Sequence, residues 1–398
     1  MQRAKLLLVS VAALLVATPA FAQTAVKIGV LNDRSGLYAD LAGEGSVIAA
    51  RMAVEDMDAK GKGIDVTIVS ADHQNKPDVG SNIARQWVDT EGVNVIVDVP
   101  TSSVALAVNE VLREKNALFL ASGPATSDLT GKACSPHTVH WTYDTWALAH
   151  GTGAAMVETG GDSWFFLTAD YAFGHALERD TIEVVEASGG KVLGTVRHPL
   201  STSDFSSFLL QAQASGAKVI GLANAGGDTI NSIKQASEFG IVAAGQRLAG
   251  LLIFSTDVAS LGLETAQGLV LTTAFDVDQN EATKEFSARF KELDGSNPTM
   301  VQAGVYSAVL HYLKAVEATG TTDADAVMEW MKANPTQDPI FGEGEIRADG
   351  RHMHDMFLME VNAPDKAQYE GDYFTALATI PAEKAFRPLE EGACPLVK

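Results

Sequence analysis

Short β-branched runs alternate with amphipathic stretches along the chain, and the rhythm predicts an α/β fold. Val26–Leu31, Val66–Ser70, Val93–Val99 and Leu118–Ala121 read as strands. Glu44–Ala59, Val79–Asp89 and Val104–Lys115 read as helices between them. In the first of these, Val47, Ala50, Val54 and Met57 recur at three- and four-residue steps on one face. Strand and helix in alternation mean βαβ units and a parallel sheet.

The pattern then starts again. Trp146–Glu158, His175–Ala187, Phe205–Ala214 and Asp228–Phe239 read as helices, and Trp164–Thr168, Lys191–Val196, Val219–Leu222 and Leu251–Phe254 as strands. After Thr273 come helices near Glu281–Leu293, Val301–Thr319 and Ala324–Lys332. The last stretch changes character, with strands Glu343–Ile346, Met356–Val361 and Phe374–Ile380 joined by turns. No linker separates the two series, which predicts two close-coupled lobes. In open α/β sheets ligands bind beyond the carboxyl ends of strands, so the loops that follow strands are the ones to search.

The first residues change the address. Arg3 and Lys5 precede an apolar run from Leu6 to Val16, and small residues sit at Ala20 and Ala22. This is the pattern of a secretory signal peptide (1–22) cleaved after Ala22, and the run is too short to span a bilayer. The chain of 398 residues carries a net charge of −21, and loss of the signal makes it more acidic still. So acidic a surface argues against nucleic acid as a partner. Cys134 and Cys394 are the two cysteines of the chain. Export favours a disulfide between them, with two free thiols as the alternative.

Catalytic motifs are few. There is no phosphate loop and no nucleophile elbow, and Gly151-Thr152-Gly153 lacks the third glycine of a dinucleotide fingerprint, so no cofactor is expected. His352 and His354 would share one face of a strand, but without a third ligand at standard spacing they read as surface histidines and not as a metal pair. Tyr38 follows the first strand. Thr101-Ser102-Ser103 opens the helix after the third, where hydroxyls and free N–H groups suit a carboxylate or simply cap the helix. Ser122-Gly123-Pro124-Ala125-Thr126 follows the fourth strand with further hydroxyls. In the second series Tyr171 could lie against an apolar ligand, while Asn224, Asp228 and Asp257 offer polar groups, with helix capping the other role for the acids. Trp141, Tyr143 and Trp146 fall where the chain crosses between lobes, for core packing or ligand stacking.

These residues resemble the leucine/isoleucine/valine-binding-like group of type I periplasmic solute-binding proteins of ABC transporters. The resemblance is carried by Lys27-Ile28-Gly29-Val30 with Ser35-Gly36, the Asp72-to-Pro77 loop, Thr101-Ser102-Ser103, Ala125–Thr130, Asp170–Gly174 and Asp204-Phe205-Ser206. It implies two lobes, each a mainly parallel sheet flanked by helices, joined by a three-crossover hinge. The expected division is 26–143 plus 275–357, and 144–274 plus 358–398. The implied role is a non-enzymatic, monomeric periplasmic binder that closes on a small-molecule ligand and hands it to permease subunits at the inner membrane. Serine at 102 and threonine at 126 would then bind a ligand carboxylate, with Tyr171 or Phe173 packing on its body. The ligand implied is an amino acid or a small, possibly aromatic, carboxylate. A ligand sensor of the same fold and an exported hydrolase are the competing readings.

Overall fold

Val26, Ile28 and Val30 point into one core from the first strand and are almost wholly buried. They belong to β1 (Thr24–Asn32), which lies between β2 (Ile64–Asp72) and β3 (Val95–Asp98) in a parallel sheet completed by β4 (Leu118–Ala121) and β5 (Thr138–His140), in the order β2-β1-β3-β4-β5. The computed structural model describes residues 23–397; the expected signal peptide (1–22) lies outside them. Helices α1 (Gly43–Asp56), α2 (Pro77–Gln86) and α3 (Ser102–Lys115) supply the crossovers. The sequence predicts these elements well, apart from β5, which has three residues and too little pattern to see.

The second sheet follows the same logic. Helix α4 (Thr145–Leu148) runs through a π turn at Ala149–Gly153 into α5 (Ala154–Glu158). Then come β6 (Ser163–Ala169), α6 (Ala172–Ala187), β7 (Lys191–His198), α7 (Ser206–Ala214), β8 (Val219–Ala223), α8 (Gly227–Glu238) and β9 (Arg247–Gly250), with parallel order β7-β6-β8-β9. Beyond α9 (Ser255–Leu261) and α10 (Leu263–Ala266), β10 (Val270–Thr273) enters a separate antiparallel sheet. The chain then returns to the first sheet through α11 (Glu281–Asp294), α12 (Met300–Thr319), which packs against α1, and α13 (Ala324–Ala333). A small antiparallel sheet of β11 (Thr336–Asp338), β12 (Gly342–Ile346) and β13 (His352–Met353) follows. Finally β14 (Met356–Val361) and β15 (Phe374–Ile380) pair with β10, ahead of α14 (Ala382–Ala385). The chain thus passes between the two bodies three times, after β5, after β10 and before β14.

One expected strand is displaced. Leu251–Phe254 is loop, and the strand beside β8 is Arg247–Gly250, paired from Val219↔Arg247 to Leu222↔Gly250. The apolar run marks burial, since Leu251 to Phe254 are each at most 3% exposed, but they are buried at the cleft instead of in the ladder.

The crossings are held by a buried polar knot. Arg351 donates to the carbonyls of Tyr143 (3.2 Å) and His352 (3.0 Å), reaches Asp144 at 3.5 Å and lies over the Phe386 ring. His352 and His354 are not on the surface as the sequence suggests. Both are buried, His352 stacked on Trp141 and bonded to Thr336 (2.8 Å), His354 between Phe341 and Phe386. Burial pushes the His354 imidazole down to about 4. Among the described residues no three His, Cys, Asp or Glu are grouped to hold a metal ion. The terminal stretch returns to the first body: Arg347 donates to the Arg387 carbonyl at 2.9 Å, and Cys394 is disulfide-bonded to Cys134 with Cα atoms 5.6 Å apart.

Candidate functional site

The strand-end loops of both bodies meet over a small aromatic cavity. After β1, the Asp33 carboxylate accepts from the backbone N–H groups of Gly36 and Tyr38, both at 2.8 Å, and from Asn75 Nδ2 at 2.6 Å. This tight loop aims Tyr38 across the cleft, where its hydroxyl meets that of Tyr171 from the second body at 2.5 Å. The approach is close. Gly226 adopts φ 57°, and a Cβ there would lie 2.8 Å from the Leu37 carbonyl, so only glycine satisfies both the left-handed backbone and the contact.

On the first body, β3 ends in two left-handed residues, Asp98 (φ 79°) and Val99 (φ 62°). Such conformations cost on the order of 1–3 kcal/mol each and concentrate at functional turns. They turn the chain into Pro100–Ser103 and let Asp98 pack beneath Gly123, where a Cβ would stand 2.5 Å from its Oδ1 and 2.7 Å from Pro100 Cα. Tyr143 donates to the Gly123 carbonyl at 2.7 Å.

The cavity is lined by Tyr38, Leu41, Pro100, Gly123, Ala125, Tyr143, Tyr171, Phe173, Ala225, Leu252 and Phe254. The closed lobes leave about 10 Å³ free, the room of about one water. No Lys, Arg, His, Asp or Glu is among these lining residues. Burial holds the Tyr38 and Tyr143 hydroxyls protonated, well above their usual range. The lining therefore offers an aromatic body, hydroxyls and peptide groups, a setting for binding an apolar molecule with polar ends.

The structure brings Tyr38, Gly123 and Tyr171 together on this cavity. Ser102 and Thr126 stand just behind it: the Ser102 hydroxyl accepts from the Thr126 backbone N–H at 3.2 Å, and Thr126 Oγ1 accepts from the N–H of Asp128 at 3.4 Å. Ser103 is half-buried beside them. Trp146 lies elsewhere, stacked on His150 with ring centroids 3.9 Å apart and Arg387 over its face. Asn224 is buried and internally bonded, to Ser232 (3.0 Å) and Thr229 (2.8 Å). Both candidate acids of the second body, Asp228 and Asp257, are also engaged by backbone. Asp228 accepts from Ser201 and Thr202 N–H groups at 3.1 and 2.8 Å, and Asp257 from the Phe254 N–H at 2.9 Å. Burial raises each to about 7.

Tyr143 occupies the place expected of Trp146. Residue spacing within Trp141-Thr142-Tyr143 does not say which aromatic faces the cleft. Leu252 and Phe254 go unassigned in the sequence because the run around them reads as strand core.

Residues 25–368 match the family model described as "Periplasmic binding protein". A periplasmic binding protein from Burkholderia mallei is 50% identical in sequence, with 94% of this chain and 99% of that one covered and a TM-score of 0.92. A branched chain amino acid ABC transporter periplasmic ligand-binding protein from Burkholderia xenovorans LB400 is 39% identical, with 94% and 100% covered and a TM-score of 0.84. A solute binding protein of an ABC transporter from Rhodopseudomonas palustris HaA2, in complex with p-hydroxybenzoic acid, is 26% identical over 90% and 97% of the two chains, with a TM-score of 0.81.

Proposed function

The chain belongs to the periplasmic binding protein family, the substrate-binding components of ABC transporters, and from that premise we propose that it closes on a small aromatic carboxylate and presents it to a membrane permease. The carrying observation is the cavity itself: three tyrosines and two phenylalanines enclose it, and no Lys, Arg, His, Asp or Glu is among its lining residues. An α-amino acid needs a free carboxylate for its ammonium group. Asp228 and Asp257 are absent from that lining, and each is anchored to backbone N–H groups. A carboxylate needs donors, and the corner formed by Ser102, Ser103 and Thr126 at the start of α3 supplies hydroxyls and a positive dipole end. Parting of Tyr38 from Tyr171 widens the cavity beyond its present room and admits the ligand, and the lobes close over it, with residues 26–143 plus 275–357 and the terminal stretch tied to them by Cys134–Cys394 moving against 144–274 and the β14–β15 pair. Removal of the signal peptide after Ala22 delivers the mature chain to the periplasm.

The relative from Burkholderia xenovorans, described as a branched chain amino acid ABC transporter periplasmic ligand-binding protein, favours a second reading in which leucine, isoleucine or valine fills the same cavity. A thermal-shift panel separates the two. Benzoate and 4-hydroxybenzoate should raise the melting temperature and the branched amino acids should not. Stabilisation of about 2.7 kcal/mol is expected at ligand 100-fold above Kd. A shift with leucine or valine and none with the aromatic acids would sink the aromatic reading.

A further inference from the structure

Phe254 stands between two cavities. It closes the ligand cavity on the second-body side, and it is the one residue shared with a neighbouring pocket of about 20 Å³ that runs past Thr273, Phe275, Asp276 and Met300. That pocket in turn shares Ser255, Asn297, Gly371 and Tyr373 with an open groove of about 320 Å³. Cavity, pocket and groove therefore follow one another, and Phe254 is the wall common to the first two.

The ring is held from two sides. Tyr143 meets it edge-on with centroids 6.3 Å apart, and the Asp257 carboxylate fixes its backbone N–H at 2.9 Å, at the turn where the chain enters α9. The backbone there is extended (φ −108°, ψ 161°). Asp257, which reads in the sequence as a polar group for a ligand or as a helix cap, positions this wall.

We propose that Phe254 is a length gate: it ends the ligand cavity, restricts binding to short aromatic carboxylates, and its removal opens the pocket beyond to acids with a longer arm. The proposal rests on the reading of the site given above. A ligand anchored by its carboxylate at the Ser102–Thr126 corner grows toward Phe254 as its arm lengthens, and meets the ring. Accommodating or refusing one methylene in an apolar pocket changes affinity by roughly 10–200-fold.

The test is calorimetric titration of the full mature protein with benzoate and with 3-phenylpropanoate, for wild type, Phe254→Ala and Phe254→Leu. The leucine variant retains most of the buried volume should the alanine variant not fold, and circular dichroism melts verify folding of both. The ratio of the two affinities is the quantity read. Wild type should favour benzoate, and the variants should shift the ratio toward 3-phenylpropanoate by about tenfold or more. Folded variants that retain the wild-type ratio would overturn the gate while leaving the aromatic reading intact. A wild-type protein silent to both acids would overturn the reading of the site, and the gate with it.

Discussion

Reducing the Cys134–Cys394 bridge, or replacing Cys394 with serine, should lower stability without altering ligand affinity. The bridge closes a loop across 260 positions that contains the whole of the second sheet. In the loop-entropy model a closure of that length removes about 5–6 kcal/mol of freedom from the unfolded chain. Little of this is offset in the folded state, because the tail has other anchors. Phe386 is 1% exposed beneath Arg351, and the Arg387 carbonyl accepts from Arg347 at 2.9 Å. The terminal stretch should therefore stay docked after reduction, with the penalty entering through the unfolded state. Scanning calorimetry with and without a phosphine reductant should show a melting temperature lower by on the order of 10 °C. Titration of two free thiols in the folded protein would confirm that reduction is complete. An unchanged melting temperature with both thiols titrating would refute the reasoning, and so would a loss of ligand affinity of the same size as the loss of stability.

Three further perturbations probe the hinge and the cleft. Tyr171→Phe leaves the Tyr38 hydroxyl without its partner across the cleft and should weaken ligand binding by about 1 kcal/mol, roughly fivefold, by calorimetry; unchanged affinity would mean that the contact does not favour closure. Arg351→Met strands Asp144 in the buried knot and should cost about 3–5 kcal/mol in chemical denaturation; a loss below 1 kcal/mol would show that Asp144 finds other support. Burial raises Asp257 to about 7, above the ~3.9 of an unfolded aspartate, so its ionisation opposes folding above pH 7 and that penalty fades as pH falls toward 4. Asp257→Asn keeps an acceptor for the Phe254 N–H and should be more stable than wild type by up to about 4 kcal/mol at pH 8, with no difference near pH 4; a variant no more stable at pH 8 would refute this.

The alternation of strand and helix was legible because burial on a sheet and on a helix face imposes different periods. It located both parallel sheets, and it failed where an element was too short to show a period, as in β5, or where burial had another cause, as in Leu251–Phe254. The three-pass connectivity came only from the family resemblance, since β10 and β14 pair across more than eighty positions of intervening chain. His352 and His354 were misread for a related reason. Polar residues carry no mark of burial, and these two are covered by Trp141, Phe341 and Phe386, aromatics far away in sequence.

The site itself was half legible, and the division follows from what each residue type can do alone. Tyr38, Gly123 and Tyr171 follow strands, where an α/β fold places its ligands, and they line the cavity. Asp228 and Asp257 follow strands too, yet an acid there can serve a ligand or an orphan backbone N–H, and the sequence does not say which. The choice depends on where the backbone turns. At Asp257 the chain has left the ladder four residues earlier than the apolar run suggests, and the Phe254 N–H faces the carboxylate at 2.9 Å. The same early exit swings Phe254 into the cleft. One displaced strand end thus ties the Asp257 carboxylate to the backbone and brings an aromatic ring to the cavity wall. That pairing is what the proposed aromatic ligand rests on, for it would meet the second lobe with an uncharged body and not with an ammonium group.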